Sequence, residues 1–429
     1  MSYPWWYIPV ITSPMLIAFI ATIHVLVSHY AVGGGLLLAR ENAYALETGD
    51  AAYRDYWKSH AKFFVLLTVV FGAITGVGIW WTIGLVSPLA TETLIRTFVF
   101  GWAIEWVFFV IELASAFAFF YLWDKMSAKD HSAMGWIYAL SAWISLVLIT
   151  GITAFMLSSK GIGADYADTG NFWHAFFNVQ FLPQTLARTG AALLLGTLYV
   201  YAHACWKLDE NPVLRTKVIK RMNVPALFGA TILILGLMWS LAQFPENALK
   251  VLERAAALNI LFLLAAASIG LIIAAVIFVP LRKPEQMSFP FALILLFIGF
   301  AAFSSSEFVR EAARKPFQVD GMVLGNQITT QQIDSCKANG FLNSGAWTKE
   351  YLKTDNADPG LALFMHHCND CHADTRGLSG LKLLTEGESR DMLTKRIISL
   401  NSNPSMPPWC GTEKEAEALA DFLVKLQEK

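Results

Sequence analysis

Long runs of apolar residues dominate the first three quarters of the chain. Crossing the roughly 30 Å hydrocarbon core of a bilayer takes about 20 apolar residues in a helix. Eight segments are long enough: residues 8–39, 59–85, 96–123, 134–158, 179–206, 224–243, 255–281 and 288–306. They are too long for strands and lack an alternation of period two. The pattern predicts an all-α bundle of eight membrane spans, the first of them retained, because it has no basic n-region and no small-residue cleavage site.

The composition agrees with a membrane protein. Of 429 residues, 55% are hydrophobic and 15% are charged, whereas soluble domains carry roughly 25% charged residues. So apolar a chain is not disordered, and a net charge of −1 gives no electrostatic basis for binding nucleic acid. The first predicted partner is therefore a lipid bilayer.

Lysine and arginine are unevenly shared between the two sides of the predicted bundle. The odd-numbered loops carry thirteen of them, and the even-numbered loops together with the N-terminus carry four. Because basic residues are in excess in cytoplasmic loops, we expect both termini on the opposite side. In a bacterium that side is the periplasm, and the protein would be a multi-pass protein of the inner membrane.

The C-terminal part of the chain has a different character. It is polar from about residue 345 and ends in a segment, Glu413–Leu426, whose apolar residues recur at helical spacing. We expect a membrane domain over residues 1–317, a polar connector over 318–344 and a small α-helical domain over 345–429.

This small domain contains the motif Cys368-Asn369-Asp370-Cys371-His372. Cys-x-x-Cys-His is the attachment signature of c-type haem, in which both thiols bond the haem and the histidine ligates the iron. A zinc site would need a second ligand pair, and a thioredoxin-like site would need a βαβ setting. The motif therefore predicts one covalent haem c, which also places this domain outside the cytoplasm.

A second iron ligand is expected further along the chain. Met406 precedes two prolines and follows His372 by 34 residues. Residues 345–429 resemble a class I cytochrome c, in which a Met-Pro loop supplies a thioether ligand that raises the reduction potential. The alternative is that Met406 only packs in the core. His366 and His367 are rival ligands, but they directly precede Cys368 and can hardly reach the opposite face of the same haem.

Two further cysteines, Cys336 and Cys410, lie on the side of the membrane where disulfides form. Whether they pair is left open, because the sequence gives no distance between them.

Ionisable residues inside membrane spans are costly and are candidates for function. Glu105 and Glu112 are seven residues apart in the third span and so share one helix face. They suit a haem iron ligand, a proton relay or both, and the alternative is a structural pairing with Arg188 or a histidine. In the first span, His24 and His29 precede the triplet Gly33–Gly35, which would let a helix or a flat ring approach closely.

Three segments resemble the large subunit of cytochrome bd-type quinol oxidases. Residues 57–76 are similar to its second span and residues 102–112 to its third span with two buried glutamates. Residues 311–317, Glu-Ala-Ala-Arg-Lys-Pro-Phe, are similar to its Glu-x-Gly-Arg-Gln-Pro-Trp signature. The resemblance covers about residues 8–317 and implies an oxidoreductase with one or more b haems, with haem d left open.

The resemblance also implies roles for individual residues. His24 would be an axial ligand of a haem at the active-site pair, and Glu105 would ligate the neighbouring b haem. Glu112 and Glu311 would be acidic residues that deliver protons near that pair. Arg314 would bind the haem propionates.

The chain departs from this family in two places. The family's low-spin haem has a histidine in the fifth span and a methionine in the seventh. Here Arg188 stands at the matching depth, the seventh span has no methionine, and His174 is the nearest substitute ligand. The family's quinol-binding loop corresponds to only Phe244–Arg254. Both differences favour the c haem as a replacement for quinol as the electron source.

Three functions remain open on the sequence. The first is a cytochrome c-linked, bd-oxidase-like enzyme that reduces oxygen or a similar small acceptor. The second is an electron-relay subunit of a larger respiratory complex, and the third is a quinol dehydrogenase whose electrons leave through haem c. Other membrane subunits and a soluble periplasmic redox protein or c-type cytochrome are the expected partners.

We further predict that electrons cross between the c haem and the membrane haem near the outer face, beside Glu311 and Arg314. Glu311 and Arg314 directly follow the eighth span, close to where the c domain is attached. The alternative is that Arg310, Arg314 and Lys315 only anchor the helix end at lipid headgroups.

Overall fold

The computed structural model of the protein describes residues 5–8, 11–375, 380–403 and 405–428. Its membrane half is helical. The helices are α1 (Ser13–Thr48), α2 (Ala51–Val65), α3 (Gly72–Val86), α4 (Pro88–Thr97), α5 (Val99–Tyr121), α6 (Ala128–Phe155), α7 (Tyr166–Thr169), α8 (Phe172–Phe176), α9 (Phe181–Lys207), α10 (Pro212–Ala242), α11 (Glu246–Arg254), α12 (Ala256–Val276) and α13 (Phe289–Ala313). A π-helical turn, Leu66–Phe71, joins α2 to α3, and another, Ile277–Leu281, extends α12.

The predicted membrane bundle is confirmed. Within the described residues, seven helices are long and apolar enough to cross a membrane: Ser13–Thr48, Ala51–Val86, Val99–Tyr121, Ala128–Phe155, Pro212–Ala242, Ala256–Leu281 and Phe289–Ala313. The predicted fifth span coincides with α9, which is 27 residues long. Helix α9 is less apolar because it lies in the middle of the bundle and packs on α1, α6, α10 and α13. The first predicted span begins at residue 8, and residues 9 and 10 lie outside the described residues.

The glycine triplet Gly33–Gly35 of α1 is where three neighbours approach. A Cβ atom on the first glycine would overlap the backbone carbonyl of Ala192 in α9. A Cβ on the second would lie 2.7 Å from the Tyr30 ring, and a Cβ on the third would overlap the Tyr138 ring of α6. The expected close approach is thus made both by a helix and by flat rings.

Helices α1 and α2 continue beyond the apolar runs that predicted them. The predicted runs end at residue 39 and resume at residue 59, but α1 ends at Thr48 and α2 begins at Ala51. Gly49 ends α1 in the left-handed conformation with φ 66°, and the Asp50 side chain caps α2 by accepting from the Tyr53 N–H. Charged residues favour helix as well as apolar ones do, so polarity marks the membrane boundary and not the helix end.

The C-terminal half combines a two-stranded hairpin with seven helices within the described residues. These are β1 (Phe317–Val319), β2 (Val323–Leu324), α14 (Ile333–Asn339), α15 (Phe341–Ser344), α16 (Ala346–Tyr351), α17 (Pro359–Leu363), α18 (Leu381–Leu384), α19 (Arg390–Ile398) and α20 (Glu413–Glu428). The strands pair antiparallel, with Phe317 opposite Leu324.

Part of the predicted connector packs into the core of the small domain. Ile328, Cys336 and Phe341 belong to one apolar cluster with residues of α17, α19 and α20. The buried carboxylate of Glu415 in α20 accepts the backbone N–H of Phe341 at 3.0 Å. Cys336 and Cys410 lie in the same cluster as unbridged thiols.

Candidate functional site

The Cys-x-x-Cys-His motif forms a tight turn after the π-helical segment Phe364–Cys368. The Cys371 and His372 N–H groups both donate to the Cys368 carbonyl, at 3.0 and 2.8 Å. The Asn369 side chain donates to the His372 carbonyl at 3.3 Å. This turn holds two unbridged thiols and an imidazole together, which is the donor set that covalent haem c attachment requires.

The rival ligands His366 and His367 are packed among aromatic residues. The His367 ring lies 4.1 Å from the Phe341 ring and 4.9 Å from the Trp409 ring, centroid to centroid. Its Nδ1 is 3.1 Å from the Asn326 side-chain nitrogen. Burial lowers the pKa of His366 to about 4 and that of His367 to about 3. Both are neutral near pH 7 and belong to the domain core.

Met406 lies in the short loop before α20. Its N–H donates to the Asn403 carbonyl at 3.2 Å, and the Ser405 N–H donates to the Asn403 side chain at 3.0 Å. The Trp409 N–H donates to the Asn401 side chain at 3.2 Å. These bonds fix the backbone at Ser405, Met406 and Trp409, and the role of Met406 as iron ligand stays a prediction.

An ion pair joins the haem attachment motif to the membrane half. The Lys315 ammonium, just past the end of α13, pairs with the carboxylate of Asp370, which stands between the two cysteines of the motif. Both side chains are only 9% exposed. Burial favours the neutral form of Lys315, but the Asp370 carboxylate outweighs it and raises the pKa of Lys315. Gly325 packs so closely on this pair that a Cβ atom would overlap the Asp370 carboxylate.

Arg314 and Glu311 form a second buried pair one turn away. Arg314 is 3% exposed and also donates to the Gln318 carbonyl at 3.1 Å. A headgroup anchor would need an exposed side chain, so for Arg314 that alternative is wrong. The Arg314 Nε and the Glu311 Oε1 are buried without a hydrogen-bond partner among the described residues. Both atoms could therefore bind a polar group of a cofactor or a water molecule.

The hairpin region fixes the small domain on loops at one end of the bundle. Gln327 accepts the Leu89 N–H at 3.1 Å and donates to the Ser87 hydroxyl at 2.9 Å, both at the start of α4. Asp320 accepts the Ser159 N–H at 2.9 Å, in the loop after α6. The small domain thus touches the bundle through several polar contacts, all at the same end of the helices.

His24 of α1 faces α3 and keeps one ring nitrogen available. Its Nδ1 lies 3.1 Å from the Thr75 hydroxyl, which itself donates to the carbonyls of Phe71 and Gly72. When the hydroxyl hydrogen is used there, His24 Nδ1 carries a hydrogen and donates it to the Thr75 oxygen. Its Nε2 then presents a lone pair, the form in which a neutral imidazole binds iron.

The two glutamates of α5 face α6. Glu105 accepts from the Ser145 hydroxyl at 2.8 Å, and Glu112 accepts from the Tyr138 hydroxyl at 3.3 Å. Among the described residues neither carboxylate forms an ion pair or hydrogen bond with Arg188 or a histidine, so the alternative of a structural pairing is not formed. Among the described residues, no hydrogen bond joins Glu105 or Glu112 to His24. A shared role of these three residues at one haem site therefore stays a prediction.

His29 opens onto a cavity of about 280 Å³ between α1, α9, α10, α12 and α13. Its Nδ1–H donates to the Val25 carbonyl at 2.9 Å, so Nε2 again carries the lone pair. The cavity wall is mostly apolar, with Arg188, Glu307 and Arg310 among its polar residues. Glu307 pairs with Arg310 at 2.8 Å, whereas Arg188 forms no hydrogen bond with any described residue.

Sequence reasoning missed Glu307 and the cavity. A charged residue in an apolar run was the available signal, but Glu307 lies too near the end of the eighth run to stand out. His174 is on α8, outside α9, where its Nδ1 lies 2.8 Å from the Thr169 hydroxyl near the surface. The structure does not bring His174 into hydrogen-bond or ring contact with any other candidate residue among those described.

Comparisons with known proteins match the two halves separately. A family model described as cytochrome bd terminal oxidase subunit I matches residues 13–253. A model described as cytochrome C oxidase, cbb3-type, subunit III matches residues 355–423. The solved bd oxidase structure from Geobacillus thermodenitrificans is similar with a TM-score of 0.59 and 16% identity, covering 76% of this chain and 93% of that chain. That likeness concerns the fold, and no curated protein sequence matches this chain.

Proposed function

Because this chain belongs to the cytochrome bd terminal oxidase subunit I family, we propose that it is a member whose electrons enter through its own haem c. Its membrane helices and its cytochrome c domain make it a protein of membrane respiratory electron transfer. In the proposed direction, electrons pass from the c site to b-type haem in the bundle and reduce oxygen or a similar small acceptor. The contact between Lys315 and Asp370 carries this proposal, because it seats the haem attachment motif directly on the end of α13.

The c site would hold one covalent haem. Cys368 and Cys371 would bond it, and His372 and Met406 would ligate its iron, a pair of ligands that favours a high potential. The haem would supply one-electron redox chemistry, and these ligands would set its potential. The turn at Cys368 orients the motif, and the Lys315–Asp370 pair fixes it against the membrane half.

The membrane half would hold at least one non-covalent haem. His24 has the free Nε2 that an axial ligand needs, and Glu105 is the proposed carboxylate ligand of a neighbouring haem. Arg314 would bind propionates through its unpartnered Nε, since a guanidinium matches a carboxylate. Glu112 and Glu311 would hold and move protons that acceptor reduction consumes.

Electron entry through haem c is supported by the loop between α10 and α12. This loop contains only the short helix α11, Glu246–Arg254, within residues 243–255. So short a loop offers little surface for a separate site at which quinol could donate electrons. A periplasmic c-type cytochrome would be the external donor, and we propose that the c domain lies in the periplasm above the inner membrane.

Two measurements on the purified full chain test the proposal. A pyridine haemochrome assay with an optical spectrum counts c against b haems and shows whether a d-type band is present. Oxygen consumption is then followed with reduced cytochrome c as donor. We expect one covalent c haem and at least one b haem. We also expect the protein to consume oxygen with reduced cytochrome c as donor. Rapid reduction of both haem types without any oxygen consumption would favour the relay subunit instead.

Quinol oxidation with electrons leaving through haem c is a second candidate function. The cavity beside His29 favours it, because an apolar pocket with a few cationic groups suits a lipid-soluble carbonyl compound. Reduction of the c haem by a quinol, in the absence of any other donor and at a rate that saturates with quinol concentration, would decide for this function.

A further inference from the structure

The cavity between α1, α9, α10, α12 and α13 is long and carries its charges at one end. On α9 its wall runs from Gln184 to Leu198, a distance of about 21 Å at 1.5 Å per residue. Its charged residues are Arg188, near the start of α9, and Glu307 and Arg310, near the end of α13. The wall between these residues and Leu198 is mostly apolar. This arrangement suits a molecule with a polar head and an apolar chain.

The cavity opens sideways, between α10 and α12. Leu237 of α10 and Phe262 of α12 line the cavity, and each is 38% exposed. Helix α12 packs mainly on α13 and makes less contact with α10. Both residues belong to helices that are long and apolar enough to cross a membrane, so the opening faces the hydrocarbon region of the bilayer. A lipid chain can therefore enter the cavity without leaving apolar surroundings.

Arg188 gives the cavity wall a positive charge that no neighbour balances. Glu307 and Arg310 cancel each other, because they pair at 2.8 Å. Arg188 forms no hydrogen bond or ion pair with any described residue. His29 supplies no negative charge, and its Nδ1–H is bound to the Val25 carbonyl. A guanidinium in apolar surroundings is costly without an anionic partner, so the site favours a ligand that brings a negative charge.

We propose that this cavity binds a lipid whose head carries an oxyanion, with the head at Arg188 and one acyl chain along α9. The guanidinium presents parallel N–H donors that match two oxygens of a phosphate or a carboxylate. The chain fills space that an apolar wall keeps free of water. At about 280 Å³ the cavity exceeds the roughly 150 Å³ at which an apolar cavity already binds benzene.

An oxyanion suits this wall better than a neutral carbonyl compound does. A phosphate or a carboxylate neutralises the charge of Arg188, whereas a quinone leaves that charge uncompensated in apolar surroundings. The lipid and a quinol would occupy the same space, so the binding of one excludes the other. The inference goes beyond the proposed function, because the lipid site does not depend on where electrons enter the chain.

A bound lipid would fasten α12 to the centre of the bundle. Its chain would contact α9, α10 and α12 together, whereas α12 by itself packs mainly on α13. A ligand that binds only the folded protein stabilises it by mass action. Addition of the lipid should therefore raise the midpoint of thermal unfolding, and this shift should depend on Arg188.

The test is native mass spectrometry of the full chain, purified with its haems in an uncharged detergent. The protein is titrated with dioleoylphosphatidylglycerol, with oleate and with dioleoylglycerol. The first two distinguish a phosphate head from a carboxylate head, and the third has the same two chains as the phospholipid but no charge. The Arg188→Leu variant removes the guanidinium. The Arg96→Leu variant is the control, because Arg96 is an exposed residue of α4 that pairs with Glu92 at 2.6 Å.

The wild type should hold one phosphatidylglycerol or one oleate roughly ten-fold more tightly than dioleoylglycerol, or about 1.4 kcal/mol. Arg188→Leu should abolish this preference, Arg188→Lys should keep part of it, and Arg96→Leu should match the wild type. Arg188→Leu should fold, because it removes an unpaired charge and breaks no ion pair. Equal affinity of the wild type for charged and uncharged lipid, or an unchanged preference in Arg188→Leu, would overturn the proposal.

A second variant tests the path of the chain and leaves Arg188 in place. Ala266 of α12 lines the cavity, so Ala266→Phe places a ring where the acyl chain would lie. This variant should lose the bound lipid and the rise in the unfolding midpoint that the lipid causes. If Ala266→Phe retains the lipid with wild-type affinity, the chain does not enter the cavity and the proposal is wrong.

A short-chain benzoquinone separates the lipid from the quinol of the second candidate function. Binding of the quinone that depends on Arg188, without binding of either anionic lipid, would overturn the lipid site and favour a carbonyl ligand. Displacement of the quinone by phosphatidylglycerol in the wild type would support the lipid. Oxygen consumption with reduced cytochrome c tests the proposed function separately, so its failure would leave the lipid result unchanged.

Discussion

On the proposed function, the redox character of the c site depends on Met406. The Met406→His variant should keep the covalent haem and lower its reduction potential, because an imidazole favours the ferric iron more than a thioether does. We expect a shift on the order of 0.1 V, well within the roughly 0.8 V range that axial ligands span. Redox titration of the c bands measures it. An unchanged potential and spectrum would remove Met406 from the iron.

His24 and His29 offer a matched pair for the membrane haem. Each donates its Nδ1–H to an oxygen and keeps Nε2 free, but only His29 opens onto the cavity. On the proposed function, His24→Ala loses most of the b-type absorbance and keeps the c-type bands, whereas His29→Ala keeps both. Optical spectra of the two variants, normalised to the haem c bands, show which of the two histidines ligates the b haem. Full b absorbance in His24→Ala with loss in His29→Ala would move the haem ligand to His29.

The candidate residues could be found from the sequence where a polar side chain interrupts an apolar run. Glu105, Glu112, His24 and Arg188 stand out in this way. The direction of each side chain could not be found, since it depends on which helices become neighbours. On the sequence, Arg188 is an alternative partner of the glutamates, yet it lines the cavity with His29.

At the level of elements, the glycines of α1 set how closely the central helices pack. Gly33→Val should destabilise the bundle by about 1–3 kcal/mol or more, because the added atoms collide with the backbone of α9 at Ala192. Gly84→Val in α3 is the control, since nothing lies within 4 Å of a Cβ there. The midpoint of thermal unfolding in detergent is measured for both variants, and we expect it to be lower in Gly33→Val. Equal midpoints would mean that α1 and α9 can separate without cost.

The helices could be predicted from the sequence, but their ends could not. An apolar run marks only the part of a helix that lies inside the bilayer. Helices α1 and α2 extend past this part as polar helices, which ion pairs such as Glu41–Arg221 and Asp50–Lys217 stabilise. The predicted connector shows the same limit. Its polar composition indicates a linker, but Phe341 and Cys336 are buried in the domain core through contacts with residues far away in the sequence.

On the scale of the whole molecule, the c domain is seated on the bundle and not merely tethered. The hairpin region binds loops at one end of the bundle through Gln327 and Asp320, and Lys315 binds the attachment motif itself. No local pattern in the sequence signals such a contact between residues 315 and 370. The resemblance to two separate families predicts both halves, and the structure adds the junction between them.

This junction leads to a prediction on electron transfer within the chain. The Lys315→Met variant removes the ion pair at the motif and should slow electron transfer from haem c to the membrane haem roughly ten-fold or more, since small displacements of reacting groups are costly. Reduction of haem c by an external donor should stay at the wild-type rate. Stopped-flow spectroscopy, which follows the c and b bands separately, measures both steps.

Two further variants make the result interpretable. Lys315→Met leaves the Asp370 charge buried, which typically costs about 3–5 kcal/mol, so Lys315→Met/Asp370→Asn removes both charges and guards against simple misfolding. Arg390→Met is the matched control, because Arg390 pairs with Asp421 at 2.6 Å on the exposed side of the c domain. Slow transfer in both Lys315 variants with normal transfer in Arg390→Met would establish that the seating of the motif sets the rate. If the b haem is reduced at the wild-type rate in all three variants, electrons reach the bundle by another contact, and the Lys315–Asp370 pair serves only to hold the domain in place.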